Sequence, residues 1–119
     1  MKFLGTKKIF SAAAVAASGT VDFETNFAAA GVVLYVVTAN VAAANFNFGL
    51  AARTPDGNVV TLVTSAAVTT NTTIRVAALP GVVAVANVIA NEPIPGLARF
   101  VYTRNAGAAD LDVYAAFFG

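Results

Sequence analysis

The sequence predicts an all-β fold, a single-domain β-sandwich or jelly roll of about seven or eight short strands. Three observations predict it. The chain is 58% hydrophobic, but the apolar residues are mostly Ala and Val rather than Leu or Trp, and they come in short runs broken by Thr, Asn and Gly. Several of these runs alternate apolar and polar residues with a period of two, as a half-buried strand requires. Turn signals recur roughly every 8–12 residues, the spacing of sandwiches and barrels.

Residues 1–10 read as an N-terminal arm and residues 11–119 as the sandwich domain. Lys8–Ser18 is a loose first strand, and Val21–Phe27 follows it. Val32–Thr38 is β-branched and aromatic, with high strand propensity. Asn45–Arg53 alternates cleanly, with Phe46, Phe48 and Leu50 on one face and Asn45, Asn47 and Gly49 on the other. Thr54-Pro55-Asp56-Gly57 supplies turn residues, and Asn58–Thr64 returns, so Asn45–Thr64 reads as a β-hairpin. Thr72–Ala77 is a further strand. Gly81–Ala90 is ambiguous: Val, Ile and Asn favour strand, while Ala permits helix. Pro93 and Pro95 make Asn91–Gly96 a loop. Leu97–Arg104 and Leu111–Phe118 close the pattern, joined by a turn at Asn105-Ala106-Gly107. No linker and no repeat of 20–50 residues is visible.

Composition narrows the function. Seven cations against six anions give a net charge of +1, with no basic stripe for nucleic acid. The longest apolar run, Ala28–Val37, is ten residues, against the roughly 20 of a membrane-spanning helix. Lys2, Lys7 and Lys8 precede Ile9–Ala17, a pattern similar to a secretory signal. Its apolar part is mostly Ala with no Leu run, so a strand or arm is the reading adopted. The chain has no Cys and no His, which removes disulfides, thiolate metal sites and the commonest general base. A low-charge, apolar chain of this size points to contact with other proteins, itself included.

The remaining polar residues assemble no evident chemistry. Asp110 and Asp112 share one face of a strand, as do Asp22 and Glu24, but neither pair has a His or a third acid beside it. Charged strand edges that resist strand addition account for both pairs. A calcium site from all four would require the first and last strands to meet, and calcium wants six or more oxygens. Ser11, Ser18 and Ser65 lack an activating base, and no phosphate-binding glycine loop is present. The expectation is therefore no enzyme, with no catalytic, cofactor or metal residues. Phe46, Phe48, Phe100 and Tyr35 read as core. Phe117 and Phe118 are adjacent, so on a strand they point to opposite faces, and one of them is free for an interface. Phe3 and Leu4, beside Lys2, Lys7 and Lys8, fit an arm that docks on a neighbour. Those seven residues are the candidate interface.

The order of these segments carries a resemblance. Lys8–Phe23 is a strand with a small-residue turn, and Val32–Val41 a strand. Asn71–Pro80 runs from strand into turn. Pro95–Phe118 then holds the aromatic strand Arg99-Phe100-Val101-Tyr102, the Asn105-Ala106-Gly107 turn and the last strand. In this order the chain resembles the jelly-roll capsid cement (decoration) proteins of tailed bacteriophages, of the short-tailed phage type. Val101 stands where that family's strand has a second basic residue, and Arg104 follows. The resemblance implies a virion protein on the capsid exterior. Its partners would be the major capsid protein and further copies of itself, as dimer or trimer, and it would stabilise capsomer joints. Alternatives are a tail, baseplate or head-fibre β-module, or a secreted carbohydrate-binding β-sandwich.

Overall fold

Two stretches rich in β-branched and aromatic residues form the spine of the molecule, and each becomes one long strand rather than two short ones. A computed structural model gives the fold and describes residues 1–25, 28–94 and 96–119. The described residues form seven strands: β1 (Phe3–Val15), β2 (Gly19–Glu24), β3 (Gly31–Arg53), β4 (Val59–Thr64), β5 (Thr72–Ala78), β6 (Ile89–Ala90) and β7 (Leu97–Phe118). No helix forms among them. β3 and β7, of 23 and 22 residues, run antiparallel from Gly31↔Phe118 to Ala52↔Ala98. β1 and β2 both pair with β7, β4 and β5 with β3, and β6 runs parallel to the end of β5.

The spine bends in its middle. Its register shifts between Ala39 and Phe46, where Asn40 and Ala43 take left-handed φ values of 49° and 50°. Opposite them lies Gly107, with φ of 63°, and a Cβ there would collide with the carbonyl oxygens of Ala42 and Ala43. Glycine is therefore required at 107 on two grounds, its φ and its space. The expected turn at Asn105-Ala106-Gly107 is thus a correction. It is a bulged corner inside β7, because β3 bulges beside it and the pairing carries on past both. The expected break between Val32–Thr38 and Asn45–Arg53 disappears for the same reason.

Beyond the corner the sheet folds back on itself and makes a β-sandwich. One layer holds β1, the second half of β7, the first half of β3, β5 and β6. The other holds β2, the first half of β7, the second half of β3 and β4. Aromatic contacts join the layers. The Phe23 ring of β2 lies 6.4 Å from Phe117, and the Phe10 ring of β1 lies 6.4 Å from Phe100 and 5.3 Å from Tyr102. Within the second layer Phe46, Phe48 and Phe100 stack in series at 5.8 and 5.9 Å. All three are fully buried, with Leu34, Val36, Leu50, Val76, Leu111 and Val113. The strict alternation of Phe46, Phe48 and Leu50 into the core is as the sequence predicts.

Other expectations shift. Residues 1–10 are mostly strand. β1 begins at Phe3 and pairs with β7 along its length. Three register shifts in that pairing interrupt the period of two, so Leu4, Ile9, Phe10 and Val15 all reach the core without an alternating pattern. The hairpin of β3 and β4 forms as predicted, its turn closed by Thr54 N–H to Asn58 O at 2.9 Å and Gly57 N–H to Thr54 O at 2.9 Å. Gly81–Ala90 is neither helix nor full strand. It is irregular up to the two residues of β6. β2 ends at Glu24; of the predicted strand Val21–Phe27, Asn26 and Phe27 lie outside the described residues. So does Pro95 of the predicted loop.

Candidate functional site

The outer face of the first layer is the best-defined surface on the molecule. Cross-strand neighbours on a sheet share a face, so pairing across four strands sets Lys8, Tyr114, Tyr35 and Arg75 side by side in one row. Tyr35 is 37% exposed, a correction to its expected place in the core. Val36 takes the core position instead, because Val32–Val37 is apolar at every position and its alternation is invisible until one face is covered. The Lys8 ammonium lies 5.5 Å from the centroid of the Tyr114 ring and 3.1 Å from Asp112 Oδ1. Val37 and Asp112 lie in the next row on one side. On the other, Val33, Ala77 and Ala116 are covered by Leu79, Ile89 and Phe118.

The seven predicted interface residues divide by face. Phe118 and Phe3 meet on the outside, with ring centroids 5.7 Å apart, and Phe3 is 58% exposed. Phe117 points inward and is buried against Phe23, so it leaves the surface. Leu4 leaves it too, since it packs on the core. Lys2 is tied by its backbone, donating to Gly119 O at 2.8 Å and accepting from Gly119 N–H at 2.7 Å. Its side chain and that of Lys7 are exposed. Lys8 joins the tyrosine row. Sequence reasoning missed Tyr114 and Arg75. Strand pairing of Lys8 with Tyr114 and of Tyr35 with Arg75 is what unites them, and no local pattern encodes that.

Asp110, Asp112 and Asp22 are each tied to neighbouring strands. Asp110 sits at the corner and accepts from the Ala14 N–H at 2.8 Å and Asn40 Nδ2 at 2.6 Å, residues that both have left-handed φ. These bonds, the backbone one first, hold its pKa below the ordinary aspartate value. Asp112 accepts from Ser11 Oγ at 2.6 Å and from Lys8, which lower its pKa in that order. The same Asp112 contact raises the pKa of Lys8. Asp22 is on the other layer, held by Arg99 Nε at 2.6 Å and Arg53 Nη1 at 2.9 Å, and its pKa is lowered by Arg99 first. The four-acid arrangement of Asp22, Glu24, Asp110 and Asp112 does not assemble. Among the described residues no three metal-ligating side chains come together.

No protein-family model matches this chain, and no curated protein matches it.

Proposed function

We propose that this chain is a virion structural protein, a cement protein that binds the outer surface of an icosahedral phage capsid and stabilises the joints between capsomers. The major capsid protein is its partner. The observation that carries the reading is the exposed row Lys8, Tyr114, Tyr35 and Arg75, with Phe3 and Phe118 near it on the same layer. Tyr and Arg are the residue types that anchor protein interfaces, and here they stand on a rigid sheet rather than a loop. The resemblance of strand order to phage cement proteins points the same way. A standard interface takes about 800 Å² per partner, which one face of a sandwich this size can supply.

The test is a cryo-EM map of the source particle, together with reconstitution on shells stripped of the protein. The expected result is sandwich density on the capsid exterior, and loss of occupancy with the double change Tyr35→Ala and Arg75→Ala. Purified particles that lack the chain, or full occupancy of the double variant, would refute the proposal. The same two neighbouring tyrosines favour one other reading, a carbohydrate-binding sandwich. Binding of a defined oligosaccharide that Tyr35→Ala abolishes, with no binding to shells, would replace the first reading by the second.

A further inference from the structure

We infer that β4 is a pairing edge, and that its occupant is a second copy of this chain, joined β4 to β4 in antiparallel register about a two-fold axis. β4 is bonded to β3 on one side, and among the described residues no strand pairs with the other side. An open strand edge is a template for another chain unless something blocks it. The other edges are blocked. β1 carries Lys7 and Lys8 and has three register shifts. β2 carries Asp22 and Glu24. β5 carries Arg75 and is capped at its end by β6. β4 reads Val59-Val60-Thr61-Leu62-Val63-Thr64, with no charge, proline or glycine. Its one irregularity falls between Thr61 and Val63, which leaves the first half of the strand regular.

Two further observations mark the edge as incomplete. Val60 pairs with Ala52, two residues along from the buried Leu50, so it faces the core side of the sheet. Even so it is 49% exposed, and its neighbour Val59 is 41% exposed. A groove of about 500 Å³ runs beside the second half of the strand, between Leu62–Thr64 and the stretch that carries Val85 and the β6 residue Ile89. A strand added along the first half of β4 would cover Val60, and the groove leaves room at the other half for its continuation.

The strand's own chemistry selects the second copy. Antiparallel pairing of a neutral strand with itself sets no like charges opposite one another and puts β-branched residues across from β-branched residues, a favourable match. The same operation on β1 would oppose lysines. The contact is isologous and closes at two copies. This assignment stands on the edge and not on the capsid reading. A dimer that depends on β4 but binds no shell would keep the one and refuse the other.

The experiment exploits the absence of cysteine from the chain. Light scattering behind size exclusion is expected to give a dimer. Thr61→Lys, an exposed outward position, should weaken it at least about tenfold because like charges then face each other across the pair, with an unchanged circular dichroism spectrum. Val59→Lys is the second variant should the first misfold. Under mild oxidation a cysteine scan over 59–64 should produce disulfide-linked dimer from the position nearest the axis, while Thr6→Cys on β1 should not. A monomer up to the solubility limit would overturn the inference. So would a dimer indifferent to both lysine variants, or a β4 edge that takes up only a strand of a different protein.

Discussion

β1 and β4 are both outer strands, one flanking β7 and the other flanking β3, and they meet solvent in different ways. β1 is long, bulged and lysine-bearing, and it sends Leu4, Ile9 and Phe10 into the core. β4 is six residues long and uncharged, and leaves Val59 and Val60 partly exposed. β1 is thus integral to the sandwich and guarded against strangers, whereas β4 gives the core Val63 and part of Leu62 and leaves its first half open. A strand can contribute to stability or to assembly, and here the two tasks fall on different edges.

The largest expected effect tests the first half of that contrast. Phe10→Ala removes a ring that touches Phe100 and Tyr102 across the layers. It should cost about 3 kcal/mol, the low end for a phenylalanine truncation because the ring is half-buried. Val60→Ala on β4 should cost less than about 1 kcal/mol, since much of that side chain is already in water. Chemical denaturation of the two variants checks this, and equal losses would erase the distinction.

The next effect is on association. Lys7→Val removes part of the guard on β1 and should add a second, non-specific self-association visible in sedimentation. Raising salt should act in the same direction on the wild type, because exposed charges are screened beyond roughly 10 Å at 0.1 M. Pairing through β4, which carries no charge, should not respond to salt.

Acid should separate the edges more gently. Asp110 and Asp112 fasten β1 at Ala14, Ser11 and Lys8, and both have pKa values lowered in the fold, chiefly by the Ala14 and Ser11 bonds respectively. A depressed carboxylate pKa contributes stability that is complete above the unfolded value of about 3.9 and is lost as pH falls through the folded value. Hydrogen exchange in β1 should therefore quicken below about pH 4 relative to β4, once intrinsic rates are corrected. Asp110→Asn should flatten that response. Smallest of all is Lys8→Met. The Lys8–Asp112 pair is half exposed, and such pairs contribute little, so the melting temperature should not move measurably.

How much of this was legible in the sequence depended on whether large apolar residues stood on one face of a strand or on both. Asn45–Arg53 carries its large apolar residues on one face only, so Phe46, Phe48 and Leu50 declared themselves by alternation. The hairpin after it was equally readable from Pro55 and Gly57. Val32–Val37 has apolar residues on both faces, so Tyr35 could not be placed until pairing put it between Tyr114 and Arg75. Phe117 and Phe118 were correctly divided between two faces by adjacency alone, though not which went where. Bulges hid the most. They turned β1 into an apparent arm, and they made the Gly107 corner look like a hairpin turn, because a glycine at positive φ serves either structure.

The bend at Gly107 means that both layers share the same two strands, and this governs when the fold can exist. Every layer needs β7, the seventh strand to be synthesised, and the spine pairs Gly31 with Phe118 before much local structure can reward the chain. Closing so long a loop costs entropy first and returns contacts later, which slows folding. A nascent chain bearing β1 to β6 can pair β3 with β4 and β5, but β1 and β2 have no partner strand until β7 is made. Completion of both layers therefore waits on a single strand, β7.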